Sequence, residues 1–432
     1  MLAFLSLGWC IYRDIQIEKQ YPGDLRNRIV GSRLQKDGFS PYFYHWKPAD
    51  HLRYYDWDNY GTTLKISNVT ATPFFHQLLY PLSDLSQRVI SRLWLGFEYV
   101  AFIAMTLLAL RLTRVRRQQM AVLAVSLLFL YSYAWLTHIA SGQLYIFVPL
   151  LAMVFYYLVS KQPSLLNAAL AGGCAAMLVL IRPNAALFLL PFLLLLKNFS
   201  LKYKMALVGS GLAVLLLAFN SRLSRLYWSD YLTAMNEQVK VHQNLSPTAQ
   251  SSGPVPILEQ YEGWTRTQIN KAQQFPYYKG YKENGNVFVL ISTALHTRTP
   301  LWLLSVLSLL AMGTICLVFY ARYRNTPGIP LFSIALLGYF LYMVSDLFSP
   351  IHRFSYNGIQ WIFPLLLMAS AYTGSFRKLY VAGVLAGLLL NSLPLYLLPL
   401  RHSVGEYLIF ASLLGLLFTR EPERHKSSYY YK

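Results

Sequence analysis

Charge is what this chain has little of. Only 13% of its 432 residues are charged, while 55% are hydrophobic. A soluble protein of this size carries about a quarter charged residues. The shortage is concentrated in runs of roughly 16–22 residues, the length a helix needs to cross about 30 Å of hydrocarbon. Acidic residues are scarcer still: 18 Asp and Glu stand against 38 Lys and Arg, a net charge of +20. The basic residues sit between apolar runs rather than in one continuous basic domain, which argues against nucleic acid as a partner. Cysteine is also rare. Cys10, Cys174 and Cys316 lie far apart in apolar runs without CxxC spacing, so neither a disulfide framework nor a zinc site is implied. P-loop, GxGxxG, HExxH and GxSxG patterns are missing from any suitable context. The lack of an energy-coupling motif argues against an ATP-driven pump.

What is present is a polytopic α-helical membrane protein, all-α, with about 11–12 transmembrane helices and two long polar loops. Residues 1–12 read as the remnant of a first span. Residues 13–88 form a polar, aromatic-rich first loop. Apolar runs follow at about 89–112, 120–137, 143–160, 165–181, 185–197 and 205–220. A second polar segment covers 221–285. A last apolar group, 286–419, contains runs at about 286–320, 328–347, 357–372, 380–398 and 405–419, and 420–432 is a tail. Some pieces, such as 185–197, are short for a span and need tilt or protein neighbours. Basic residues of short loops collect on the cytoplasmic side. Arg114, Arg116, Arg117, Lys197, Lys202, Lys204, Arg322, Arg324, Arg377, Lys378 and the basic tail define that side. Both long loops and the turns near His138, Arg182 and His352 then share the opposite, non-cytoplasmic face.

Several polar residues on that face are suited to chemistry. Asp24 lies where the first span leaves the membrane. It precedes Leu25, Ile29, Val30 and Leu34, whose spacing predicts an interfacial helix. It can serve as a first-turn acid of that helix, as a general base for an acceptor hydroxyl, or as both. Arg182, in LVLIRPNAALF, is either an arginine snorkelling at a helix end or a phosphate ligand. His352 and Arg353, in SPIHRF, form either an ordinary polar loop or a phosphate clamp. His138 and Gln143 flank a turn at Gly142. Asp56 and Asp58 form a DxD pattern, more easily a chance match than a metal site. Asn68 opens an N-x-T glycosylation pattern that matters only in a eukaryotic host.

The order of these elements resembles glycosyltransferase family 87, the polyprenyl-phosphate-mannose-type transferases of the GT-C fold. The elements are Asp24 after one span, GFSPY (38–42), TPFFHQLLYPLS (72–83), SGQ (141–143), IRPN (181–184) and SPIHRF (349–354). The resemblance implies an inverting hexosyltransferase of the plasma (inner) membrane with its active site on the non-cytoplasmic side. It implies a polyprenyl-phosphate sugar donor, with mannose the expected hexose, and a glycan or glycolipid acceptor, without metal or other cofactor. By the same resemblance Asp24 is the catalytic base. His352, Arg353 and Arg182 hold the donor phosphate, and His138, Gln143, Asn184 and Tyr42 bind substrate. Arg182 stands where the family often has Lys, and Arg353 alters the usual pattern after the SP turn. The competing readings are a lipid-linked glycan transporter or flippase, and a glycan polymerase or ligase. A transporter calls for related halves and ionisable groups inside spans. No internal duplication is visible.

Overall fold

Long apolar stretches form helices because neither water nor lipid can satisfy their backbone in any other single-segment conformation. The computed structural model describes residues 2–18, 23–56, 65–220, 222–243, 260–261, 264–265, 286–296, 299–326, 328–371, 378–392 and 401–419. The helices are α1 (Leu2–Glu18), α2 (Gly23–Lys36), α3 (Pro73–Leu78), α4 (Gln87–Leu112), α5 (Arg116–Leu130), α6 (Tyr133–Ser141), α7 (Phe147–Ser160), α8 (Leu165–Ile181), α9 (Leu201–Ala218), α10 (Arg222–His242), α11 (Val287–Leu295), α12 (Leu301–Tyr323), α13 (Leu331–Leu347), α14 (Ile362–Ser370), α15 (Lys378–Ser392) and α16 (Arg401–Thr419). A two-residue ladder, Gln260–Tyr261 with Trp264–Thr265, is the strand pairing among the described residues. Apart from that ladder, the described residues are helical in architecture, with apolar helices of membrane-span character.

Among the described residues, α4, α9 and α12 are long and apolar enough to cross a membrane, and a fourth span is added if α5 and α6, bent by 55° at their junction, count as one. Ser132 makes that bend possible: its hydroxyl caps α6 by accepting from the Trp135 N–H. The remaining apolar helices are shorter, for identifiable reasons. The run expected at 185–197 follows a 3₁₀ turn that Pro183 opens and consists of one turn of α-helix and a further 3₁₀ stretch with Pro191 in its first turn. The run 286–320 is two helices, interrupted where His296 adopts a left-handed φ of 51° and Pro300 caps α12. The run 357–372 begins as a 3₁₀ helix, Ser355–Trp361, before α14. α1 instead outlasts its 12-residue apolar run. Buried Asp14 extends it by accepting from Tyr99 Oη at 2.6 Å, Trp135 Nε1 at 2.7 Å and Arg13 Nε at 2.8 Å.

Helices without a hydrophobic drive between them associate through close packing of small residues. A Cβ added to Gly172 of α8 would lie 1.9 Å from the Leu207 carbonyl oxygen of α9, so only glycine permits that approach. A large core, including Trp135, Phe129, Phe188, Tyr339, Phe340 and Trp361, holds the rest of the bundle.

The helix expected over Leu25–Leu34 is present as α2, but it is not a surface helix. Every residue from Leu25 to Gln35 is buried. Its arginines make this possible by donating to carbonyls of the irregular loops around them. Arg26 reaches Tyr55 O at 2.6 Å. Arg33 reaches Ser83 O at 2.6 Å, Arg53 O at 3.1 Å and Leu85 O at 3.1 Å. Ser32 and Gln35 bond to the carbonyls of His76 and Pro73. Buried loop carbonyls need such partners, so α2 serves as the spine of the first polar loop.

A candidate active site at one end of the bundle

Five connections meet at one end of the bundle: the start of α2, the α6–α7 turn, the turn after α8, the end of α13 and the loop leading to Ser355. The first contact chain starts at Gly142. This residue ends α6 in the left-handed conformation (φ 63°, ψ 51°), which glycine adopts without a Cβ penalty. The reversal aims Gln143 at α2. Gln143 Oε1 accepts from Arg28 Nη2 at 2.5 Å, and its Nε2 donates to Asp24 Oδ2. Asp24 is half-buried, and its Oδ1 has no hydrogen-bond partner among the described residues. Burial pushes the Asp24 carboxyl above the ordinary carboxylate range, while Arg28 and the Gln143 amide pull it back down.

Two residues beyond Gln143, the Tyr145 ring lies 5.0 Å from the Arg182 guanidinium carbon. Tyr145 stacks on Tyr356, and Tyr356 on Phe354. This ladder ties the SGQ turn to the SPIHRF loop. Arg182 Nη2 donates to Asp346 Oδ1 at 2.6 Å, and the side chain keeps 27% of its surface exposed. Its Nε is buried without a partner among the described residues. Burial works against its charge. Tyr145, Asp346 and Tyr342 outweigh that and hold its pKa above the ordinary value. An arginine with an unused buried donor and an open edge is equipped to bind an anion. Asn184 donates to Ser345 Oγ at 3.1 Å and so fixes the IRPN turn against α13.

Arg353 has a different task from the one its sequence context predicts. It is 2% exposed. Its Nε donates to Asp346 Oδ2 at 2.7 Å, its Nη1 to Glu406, and its Nη2 to Asn357 O at 3.1 Å. Glu406 also accepts from Trp361 Nε1 at 2.9 Å. A guanidinium enclosed in this way holds α13, α16 and the loop before Ser355 together rather than meeting a phosphate.

His352 also departs from expectation. Its Nδ1 lies 2.6 Å from His242 Nδ1 at the end of α10, and its own backbone N–H points to that same His242 atom at 3.4 Å. His242 Nδ1 is therefore the acceptor and His352 Nδ1 the donor. Burial, and then His242, hold the His352 pKa down to about 3, while burial holds His242 at about 4. A neutral imidazole that donates through Nδ1 presents Nε2 as an acceptor, which does not suit phosphate oxygens.

Two residues expected to bind substrate are buried structural groups. His138 has no exposed surface and sits 3.0 Å from Glu98 of α4. Tyr42 is likewise buried and donates to Ala71 O at 2.8 Å. Gln143 is 1% exposed, and among the described residues its side chain bonds to Asp24 and Arg28. Asp56 is buried and Asp58 lies outside the described residues. No group of three or more His, Cys, Asp and Glu comes together among the described residues. Most of the second polar segment and the 420–432 tail, with their expected boundaries, also lie outside the described residues.

Three participants escaped sequence reasoning. Arg28 follows Asp24 by four residues, a spacing that places both on one helix face. Asp346 and Glu406 sit in apolar stretches, where an acid is costly and signals a partner.

A cavity of ≈ 290 Å³ lies between α11 and α16, lined by Leu290, Ser403, Val404, Tyr407 and Leu408 and almost wholly apolar. It borders this end of the bundle: Phe288 packs on His352 with ring centroids 5.3 Å apart, and Tyr407 adjoins Glu406.

The model of glycosyltransferase family 87 matches residues 70–255, bearing out the resemblance seen in the motifs. That stretch includes Gln143 and Arg182 and leaves Asp24 and His352 outside. No curated protein matches the chain by sequence. Among solved structures, the chain is similar to the apo oligosaccharyltransferase of Archaeoglobus fulgidus, with 13% identity and a TM-score of 0.43. The alignment covers 96% of this chain and 56% of that one, so the chain spans little more than half of that protein's length.

Proposed function

We propose that this membrane protein is a glycosyltransferase that moves a hexose, mannose in the first instance, from a polyprenyl-phosphate donor to a glycan or glycolipid acceptor with inversion. The observation that carries the reading is the pairing of a carboxylate, one oxygen of which is unpartnered among the described residues, with a partly open arginine. Asp24 and Arg182 are linked through a single turn, Gln143 to Tyr145. Inverting transfer needs a base beside the acceptor hydroxyl and positive charge beside the departing phosphate. Asp24 Oδ1 takes the hydroxyl proton as the acceptor oxygen attacks the anomeric carbon, and the C–O bond to the phosphate breaks. Arg182 stabilises the leaving prenyl phosphate as its charge develops. The apolar cavity between α11 and α16 suits part of the prenyl chain. The family match supports glycosyl transfer as the reaction class.

The exposed Arg114, Arg116, Arg117 and Lys202 lie at the opposite helix ends. Their placement supports a site on the non-cytoplasmic face, and the proposed membrane is the plasma (inner) membrane. Asp24→Asn tests the reading. Expected is a folded, monodisperse protein whose transfer of radiolabelled mannose from a short prenyl phosphate falls by about 10²-fold or more. Full transfer by that variant removes Asp24 from the chemistry.

A further inference from the structure

Asp24 and Arg28 share one face of α2, a spacing at which acid and base ordinarily pair directly. Here they do not form a salt bridge. The side-chain amide of Gln143 stands between them, contributed by a turn 119 residues away. The orientation of that amide follows from donor and acceptor chemistry. A guanidinium has no acceptor, so Oε1 must face Arg28 and the NH₂ must face Asp24. Arg28 also donates weakly to Gly142 O at 3.4 Å and so grips the turn that carries Gln143. Arg28 is 6% exposed and Gln143 1%, so neither is placed to meet a substrate directly.

We propose that Gln143, held by Arg28, is the positioning residue of Asp24: it pins Oδ2, leaves Oδ1 aimed at the acceptor, and keeps the cation one hydrogen bond away from the base. This inference rests on the reading of Asp24 as base. A direct Arg28 contact would stabilise the carboxylate so strongly that it lost basicity. A buried carboxylate with no donor would be protonated and equally useless. The neutral amide gives an intermediate result. It donates to the charged form and relays the pull of Arg28 without cancelling the charge.

Few other charged groups face this pair. From α3, His76 lies close to Gly31 and Arg28, and burial and then Arg28 keep it neutral with a pKa of about 3. From α6, His138 turns away to Glu98. Arg53 and Asp84 pair with each other near the far end of α2.

The experiment is the pH profile of kcat and KM for Gln143→Leu and Gln143→Glu, beside the parent protein and Asp24→Asn. Purified protein in lipid nanodiscs transfers radiolabelled mannose from a short prenyl phosphate to extracted membrane lipids and glycans. Gln143→Glu can still accept from Arg28, which guards against loss of the turn. For Gln143→Leu, kcat at neutral pH falls about tenfold or more, and donor KM stays within about twofold. The acid limb, which reports the base, moves up by about one pH unit, because a donor to the ionised form is gone. Gln143→Glu moves the limb further, since a second carboxylate then faces Asp24. A fall in kcat with the limb unmoved in both variants overturns the proposal and leaves Gln143 merely structural. A rise in KM alone overturns it in favour of direct substrate binding. Full activity of Asp24→Asn defeats instead the reading on which the proposal rests.

Discussion

Arg182 and Arg353 bind the two oxygens of one carboxylate, Asp346, yet they are in different situations. On the Oδ1 side, Arg182 retains an open edge and an unused Nε. On the Oδ2 side, Arg353 is enclosed, with a second acid and a carbonyl taking its other donors. Both residues follow apolar runs in the sequence, both are cationic, and both look like phosphate ligands. The difference teaches that an arginine's role here follows from an account of its donors and its exposure, not from its charge or its place in a turn. Arg353 neutralises two acids that the bundle buries. Arg182 shares one of them and has capacity left.

That contrast can be broken most forcefully at Arg353. Arg353→Met leaves Glu406 and half of Asp346 buried without a counter-charge, and losing one partner of a buried pair costs about 3–5 kcal/mol. The expected outcome is a large drop in melting temperature and in monodisperse yield from detergent, measured before any assay. A well-folded variant with raised donor KM would instead return Arg353 to the phosphate site. Arg182→Met is the counterpart. Asp346 still has Arg353 and Gln360, so thermal stability changes by only a few degrees. Donor kcat/KM falls by roughly 10–100-fold, the loss of a hydrogen bond to a charged group whose charge grows in the transition state. A collapse in stability with unchanged kcat/KM of the remaining folded protein would erase the distinction between the two arginines.

Acid sharpens the same comparison at the histidines. His76 and His352 have folded pKa values near 3, and His242 near 4. The unfolded chain takes up protons at about 6.5. Between these values the unfolded state binds more protons, so stability is complete above about pH 6.5 and declines as pH falls toward 4 and 3. His352→Gln, which keeps a side-chain donor, makes the melting temperature less sensitive over that window. An unchanged slope means that His352 is not held neutral. The smallest effect belongs to the exposed Lys36–Asp84 pair. Lys36→Ala alters stability by no more than about 0.5 kcal/mol, because solvent screens such pairs. A larger loss shows that the end of α2 depends on that contact.

Much of the site was legible in sequence as a set of turns. The resemblance named Asp24, SGQ, IRPN and SPIHRF, and these turns do meet at one end of the bundle. Their individual roles were less legible. Gln143 read as a substrate ligand through the family resemblance, since it lies in the SGQ turn. Only the fold shows α2 standing against it, with Arg28 and Asp24 on either side of its amide. His138 read as a residue of an outer turn and, through the resemblance, as a substrate ligand. Glu98, forty residues earlier and inside an apolar run, is its partner. α2 read as interfacial because four apolar residues recur with helical spacing. Its arginines are buried only because loop carbonyls from residues 53–85 surround them, contacts that no local pattern contains.

By itself, then, the sequence determined that the chain is helical and membrane-embedded, and which polar turns stand out from the apolar runs. Both follow from local physics: a bilayer tolerates few charges, and backbone groups in it must bond within their own segment. The tertiary structure decided which polar groups are used up and which remain available. Hydrogen-bond capacity is consumed by neighbours distant in sequence, so the open oxygen of Asp24 and the open edge of Arg182 emerge only once the contacts of Gln143, Asp346 and Arg353 are known.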